Sequence, residues 1–552
     1  MSVRGSNSSE TRSQSSERVP LLRAKTQLHI PVQVQEPVEG AHLRSEDAGA
    51  TGGESFDDVP HEKRQMGLFS TVFLIFNCVI GTGIYATPSL ILRSCGSVGM
   101  SLLLWILGAL IAAAGTAVFI ELGTGLPRSG GEKNYLEFIF RKPKFLVSCI
   151  FAMYAVLIGW SANGAVAFGE YTIHALALPI TTLNTRIAGI LALTVAFLLH
   201  GTNLKLGLRV QTIFGIFVLL VMLFIALAGQ FVLLFPGLSP TQPTENLEWG
   251  NLWKDTRLEA NAFVTALYNV IWSFIGYSNA NFALSEVQNP VQTIKKAAPL
   301  AMLLITVLYM LVNVAYFAVV SKEDILGSGR VVAALFFRNI FGSDTERVVS
   351  AIIALTIFGN ILAILFTFGR VIQELGREGI LPYSEWFASN KPFNAPFSGL
   401  FLQWAVSSIT AATPPPGDAF NFVLQLSSYP RSLINAAIAG GLLFLHTRWG
   451  RSWDWSPPFK TWPAVTTFFL ASNLFLVIVP LVPPAPGYLP FEHLPYYLHV
   501  VVCLIIALLG VAYWYVWSVY LPERGGYTLE REIVIQEDGV SRLVFQENYY
   551  LD

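Results

Sequence analysis

The stretch Asn77-Cys78-Val79-Ile80-Gly81-Thr82-Gly83-Ile84-Tyr85-Ala86-Thr87-Pro88 interrupts an apolar run near its middle. The run, residues 67–92, is long enough to cross a bilayer as one helix. Two glycines flanking a threonine, with a proline soon after, are costly in a lipid-exposed helix. They are tolerated where the helix breaks and its backbone lines a cavity. A matching interruption, Trp272-Ser273-Phe274-Ile275-Gly276-Tyr277-Ser278-Asn279-Ala280-Asn281, falls in a second run at 261–285. Interruptions at corresponding places in two halves of a membrane chain point to a binding site between inverted repeats.

Composition outward from the breaks places the chain in lipid. Of 552 residues, 53% are hydrophobic and 13% charged, and mean hydropathy is +0.53; soluble domains carry about twice that charge. Apolar runs fall at 67–92, 98–122, 145–178, 187–200, 210–235, 261–285, 297–320, 347–372, 397–413, 418–445, 463–482 and 494–520. They predict an all-α polytopic membrane protein of about twelve transmembrane helices. Gly159, Gly164 and Gly169 in the third run allow close helix contact or tilt. An even count puts both termini on one side, and basic residues say which. Arg128, Lys133, Arg141, Lys142 and Lys144 follow the second run. Lys205 and Arg209, Lys295 and Lys296, Arg370 and Arg377, then Arg448, Arg451 and Lys460 follow runs of the same parity. Connections near 413–418 and 480–494 carry neither Lys nor Arg. The longer connection at 321–346 holds Lys322, Arg330 and Arg338 and is expected to fold as a short helix. The positive-inside rule then puts both termini in the cytosol.

Residues 1–65 are polar, without an apolar stripe, and are expected to be a disordered cytosolic tail whose sequon Asn7-Ser8-Ser9 stays unglycosylated. Residues 66–520 form the transporter domain: 67–235 a first repeat, 261–445 an inverted second, 463–520 two extra helices. Residues 521–552 are a cytosolic C-terminal tail, in which Glu532-Ile533-Val534-Ile535-Gln536 alternates like a strand; this tail is expected to cap the vestibule. Cys78, Cys95, Cys149 and Cys503 are scattered without metal-ligand spacing and read as apolar fillers. No cofactor or metal is called for, and charges confined to loops and tails suggest no nucleic-acid partner.

Helix ends supply the chemistry. A break leaves free N–H groups at the start of one half-helix and free C=O groups at the end of the other. A zwitterionic amino acid matches that pair, its carboxylate on the N–H groups of Thr82 and Gly83, its ammonium on carbonyls near Ile80 and Phe274. Gly81, Gly83 and Gly276 lack the Cβ that would block the approach. The alternative for these glycines is plain helix packing. Trp272, Phe274, Ile275 and Tyr277 would meet the substrate's side chain, with Asn163 and Asn360 candidates for the opposite wall. An aromatic, uncharged pocket suits a thioether, since sulfur–ring contacts are worth about 0.3–1.5 kcal/mol; it suits polyamines poorly.

Several motifs carry a family resemblance: Gly81-Thr82-Gly83-Ile84, Pro127-Arg128-Ser129-Gly130-Gly131-Glu132, Arg209-Val210-Gln211, Ser285-Glu286-Val287-Gln288-Asn289-Pro290 and Gly376-Arg377-Glu378-Gly379-Ile380-Leu381-Pro382. Over roughly residues 65–520 the chain resembles the amino acid–polyamine–organocation superfamily, close to the L-type amino-acid transporters. Within these it is similar to the fungal methionine permeases, through Gly130-Gly131-Glu132-Lys133-Asn134-Tyr135. The resemblance implies a LeuT-like 5+5 inverted repeat plus two C-terminal helices, discontinuous helices 1 and 6, and alternating access. It also implies a gating aromatic at Trp272 and a polar contact at Asn281. Two departures stand out. The fifth-run lysine of many relatives is replaced by an apolar residue at or near Val218. The connection at 178–187 has no cysteine, so no disulfide-linked heavy chain is expected.

Acids inside a membrane are functional candidates. Glu121 and Glu286 lie near cytosolic run ends, where pairing with Arg or Lys is expected; Glu170 and His174, one turn apart, are the candidate coupling pair. Thr356 and Thr367 are too far apart in sequence to form a sodium site, so a proton is the expected co-ion. By analogy with fungal plasma-membrane permeases, Lys25 and Lys63 would accept ubiquitin from an endocytic adaptor. The reading is thus plasma-membrane import of an amino acid, methionine first, with cysteine and related neutral amino acids next. A broad neutral or branched-chain exchanger and a non-transporting nutrient receptor are the alternatives. An enzyme would need clustered His, Asp or Ser at one membrane face, and the histidines are dispersed.

Overall fold

The computed structural model describes residues 66–535 and 541–549, apart from positions 128–129, 240, 329–330, 343–344, 416, 449, 451–452, 454 and 485–489. The expectations for residues 1–65, including the sequon, Lys25 and Lys63, and for the side chain of Glu286 lie outside the described residues. Among those described, nine helices are long and apolar enough to cross a membrane: Leu68–Ala86, Val98–Gly125, Leu146–Ala175, Thr182–Thr202, Leu204–Leu234, Pro290–Val319, Thr345–Arg377, Pro463–Leu481 and Leu498–Gly525. Three further runs give the helices Ala260–Ser273, Phe397–Ala412 and Ala419–Leu445. The first of these is short because it breaks. The third carries buried Gln425, Ser427, Ser428, Arg431 and Asn435 along its length.

The first run is continuous over Leu68–Val79, breaks at Ile80 and Gly81, and resumes as Thr82–Ala86 and Pro88–Cys95. The third run holds a break the sequence reading missed. Its helix stops at Leu157 and restarts at Ala162. Gly159 lies in the gap, where a Cβ would come within 2.8 Å of the Ser407 Cα in the ninth run. The fourth run starts at Thr182, five residues earlier than expected. Thr181 caps it, its hydroxyl accepting from the Asn184 N–H at 3.2 Å; the polar first turn hid this start from an apolar count. The connection expected to fold as one short helix gives two, Lys322–Gly327 and Val332–Phe341.

The last two long helices are tied to different neighbours. Glu121, at the end of the second run, is fully buried. Its carboxylate accepts from the Thr461 N–H at 2.7 Å and the Trp455 indole at 3.1 Å, and contacts His446 Nε2 at 2.6 Å. The expected Arg or Lys partner is thus replaced by a histidine, an indole and a backbone amide. The Thr461 hydroxyl adds a bond to the Ala117 carbonyl at 2.8 Å. The Tyr268 hydroxyl in the sixth run donates to the Leu476 carbonyl. The eleventh run is therefore fastened to the second and sixth. The twelfth is fastened elsewhere: Tyr154 of the third run donates to the Cys503 carbonyl at 3.0 Å, and Tyr513 donates to the Ile380 carbonyl at 2.6 Å.

Beyond Gly525 the chain turns at Gly526 (φ +65°) into an antiparallel hairpin, β1 (Tyr527–Ile535) on β2 (Ser541–Tyr549), with Tyr527 opposite Tyr549. The strand-like run was legible in sequence; its partner was not. The hairpin docks on the connections after the second and eighth runs. Arg531 pairs with Glu137 and lies 4.6 Å over the Phe545 ring. Phe545 donates its N–H to the Glu378 carbonyl at 3.0 Å and packs on Phe145 and Trp517. Lys133 pairs with both Glu137 and Glu378.

Removing the Glu121 carboxylate leaves buried donors without an acceptor. Glu121→Ala is expected to lower stability by about 2–5 kcal/mol, and Glu121→Gln by less, because an amide oxygen still accepts. Thermal unfolding of the detergent-solubilised protein measures this; an unchanged midpoint for the alanine variant would remove the acid from the fold's supports.

Candidate functional site

The two interruptions meet. The half-helix Leu68–Val79 ends against the turn at 274–278 that follows Ala260–Ser273. Gly276 has φ +123°, a conformation L side chains rarely adopt, and a Cβ there would lie 2.8 Å from the Cys78 carbonyl carbon. A Cβ at Gly83 would lie 2.8 Å from the Ser273 Cα, and one at Gly81 would overlap the Asn360 amide. These glycines therefore let the first and sixth runs approach backbone to backbone and admit the Asn360 side chain, and the first amides of the half-helix from Thr82 have no partner within it. The Thr87 hydroxyl reaches the Gly83 carbonyl at 2.7 Å and the Ser273 hydroxyl at 3.2 Å. The Tyr309 hydroxyl lies 3.1 Å from the Val79 carbonyl oxygen and 2.9 Å from that of Ser273.

Between the breaks lies a cavity of about 40 Å³, room for a few waters. Gly81, Gly83, Ser273 and Ile275 form one side, and Asn279, Asn360, Thr367 and Ser427 supply polar groups. Trp160, Trp272 and Phe368 supply rings and Arg431 a charge. Trp160 stacks on Phe368 with centroids 4.4 Å apart. The Arg431 guanidinium lies 5.1 Å over the other ring system of this layer, Trp160. Its Nη1 is 3.9 Å from Glu132 Oε1, an oxygen that also accepts from the Ser278 hydroxyl at 3.2 Å. The expected uncharged pocket is thereby corrected: it holds an arginine, buried and compensated by a carboxylate.

The structure brings together Gly81, Gly83, Trp272, Ile275 and Asn360 at the cavity. Ile80 is the buried residue at the end of the first half-helix, and the backbone of Thr82 opens the second. Phe274 faces away, packed on Trp105 and Tyr309. Tyr277 packs on Phe119, its hydroxyl accepting from the Asn435 amide at 3.3 Å. Asn281 accepts from the Tyr135 hydroxyl at 3.1 Å. Asn163 bridges to the tenth run, its amide donating to the Phe420 carbonyl at 3.0 Å and accepting from the Leu424 N–H at 3.1 Å. None of these four lines the cavity. Glu170 lies in a separate crevice with Arg186, and His174 bridges Ser350 at 2.8 Å and Glu346 at 3.1 Å. The coupling candidates thus stand apart from the breaks.

Sequence reading missed Trp160, Ser273, Tyr309 and Arg431. Arg431 had a signal, a charge in the middle of an apolar run. Trp160 and Ser273 adjoin breaks. Nothing in the sequence marks Tyr309.

Broken helices around a small cavity define a membrane transporter, and comparison with known proteins names its kind. The amino acid permease family model matches residues 66–517. The chain belongs to that family of transporters, as its motifs implied. It is 43% identical to the high-affinity methionine permease of Saccharomyces cerevisiae over 90% of this chain and 87% of that one. It is 29% identical to the low-affinity methionine permease of the same yeast, over 92% and 90%. With the human cystine/glutamate transporter it shares 26% identity over 76% and 80%.

Gly83→Ala would force the half-helices apart at Ser273. Overpacking of this kind costs about 1–3 kcal/mol, so amino-acid uptake is expected to fall roughly tenfold or more at unchanged membrane abundance. Uptake normalised to surface protein checks it; parental uptake would remove Gly83 from the site.

Proposed function

We propose that this chain imports a neutral amino acid, L-methionine first, across the plasma membrane by alternating access, driven by a proton. Its helices are arranged as about twelve spans, two inverted five-helix repeats and two added helices, with both termini cytosolic. The substrate's carboxylate sits on the Thr82 and Gly83 amides and its ammonium on the carbonyl ends near Ile80 and Phe274. The observation that carries this reading is the contact of the two breaks around a ring-lined cavity, in a chain 43% identical to a methionine permease.

Charge supports a neutral side chain. Arg431 already has Glu132 beside it, so the cavity offers no uncompensated charge to an acidic or basic substrate. Trp160, Trp272 and Phe368 offer faces to a thioether. At about 40 Å³ the cavity is smaller than a substrate; ligand pockets run to about 300 Å³ and more. Binding therefore accompanies a widening of the cavity.

Competition by each proteinogenic amino acid for labelled methionine uptake, repeated with a protonophore and without sodium, tests the whole. Methionine is expected to compete best, the protonophore to abolish accumulation and sodium to be dispensable. If leucine competes and methionine does not, the substrate is wrong; binding without flux in proteoliposomes would make the chain a receptor.

The hairpin fastens the connections that close the cavity's cytosolic side. Deleting residues 527–552 is expected to raise basal efflux of preloaded amino acid. Efflux and uptake rates equal to those of the full chain would show that the hairpin has no part in closure.

A further inference from the structure

Of the acids in or beside the spans, Glu121 is spent on the start of the eleventh run and Glu170 faces a separate crevice. Glu132 alone of the three reaches the cavity wall. Its side chain is 8% exposed, and its Oε1 lies 3.9 Å from Nη1 of the cavity-lining Arg431. The Arg431 Nε is buried without a hydrogen-bond partner among the described residues, so the guanidinium has a donor to spare for a second anion. From the sixth run, two uncharged hydroxyls face Glu132: Ser278, which donates at 3.2 Å, and Tyr277. On its own helix, Lys133 turns instead to Glu137 and Glu378, and Glu137 holds Arg531 of the hairpin. Glu132 therefore stands between the cavity and the hairpin side of the molecule. A substrate carboxylate entering so small a cavity becomes a second negative charge on one guanidinium. Like charges sharing a water-poor site cannot both stay ionised at full strength, and a proton on one of them relieves the repulsion.

We propose that Glu132 carries the coupling proton, and that Arg431 passes from the charge of Glu132 to that of the substrate. A proton from water in the cavity forms an O–H bond on the Glu132 carboxylate as the substrate's carboxylate takes over the guanidinium. When the cavity opens towards the hairpin, that O–H bond breaks, the proton passes to water there, and Arg431 returns to Glu132 as the substrate leaves. Proton and substrate thus favour each other's binding, by the same factor in both directions. The inference rests on the proton-driven uptake proposed above and names the group that holds the proton.

Glu132→Gln keeps the shape and fixes the uncharged state. In proteoliposomes preloaded with unlabelled methionine it is expected to exchange labelled methionine, while accumulation driven by an imposed pH gradient falls at least about tenfold. The parental KM for methionine is expected to rise with external pH, by at most about tenfold per unit for one linked proton. In Glu132→Gln the KM is expected to vary less than about twofold over the same range. Glu132→Asp, which keeps a titrating acid, is expected to restore both accumulation and the pH dependence. Glu170→Gln is expected to accumulate methionine as the parent does. A Glu132→Gln variant that still accumulates, or that loses exchange along with accumulation, overturns the proposal. So does a Glu132→Asp variant without pH dependence, or loss of accumulation in Glu170→Gln. If the parent itself does not accumulate methionine on a pH gradient, the co-ion reading fails first and the inference falls with it.

Discussion

Unpaired backbone groups in a water-poor interior govern this molecule. Breaking a helix inside a membrane strands amides on one side of the gap and carbonyls on the other, and each stranded group costs several kcal/mol unless something meets it. The groups around the two breaks are met one by one. Tyr309 serves Val79 and Ser273, Thr87 serves Gly83, and Gly276 lets one interruption rest directly on the other. The amides from Thr82 onward open the second half-helix, where helical geometry gives them no carbonyl of their own. The cavity is small because its walls are close to self-sufficient.

The one charge in the cavity obeys the same economy of pairing. Arg431 is 8% exposed, near Glu132 and over the Trp160 face. Removing either partner of such a pair is worse than never having had it. Glu132 comes from the connection after the second run, and its own position depends on Ser278, just past the sixth-run break. A disturbance at the break is therefore felt by the arginine through one hydrogen bond and one ion pair.

What could be read from the sequence follows from how local the cause was. The breaks at Gly81 and Gly276 were legible because glycine and proline act on their own backbone. The third-run break was not, because Gly159 looks the same whether it packs a helix or ends one; its close neighbours Ser407 and Thr410 come from a distant part of the chain. Nearness in sequence to a break also says little about direction. Trp272 and Ile275 face the cavity while Phe274, between them, turns to Trp105. Asn163 looked like a pocket residue and instead enters the backbone of the tenth run. Arg431 disappeared into the average of an apolar window, and the hairpin's second strand could be recognised only beside its first.

The fastening of the last two helices has a mechanical corollary. The eleventh run is bound to the second and sixth through Glu121, Thr461 and Tyr268, and the twelfth to the third through Tyr154. These two neighbours in sequence nevertheless share one support, since both pack on the tenth run, whose Arg431 reaches the cavity. A shift of the tenth run would therefore be felt by both of the added helices.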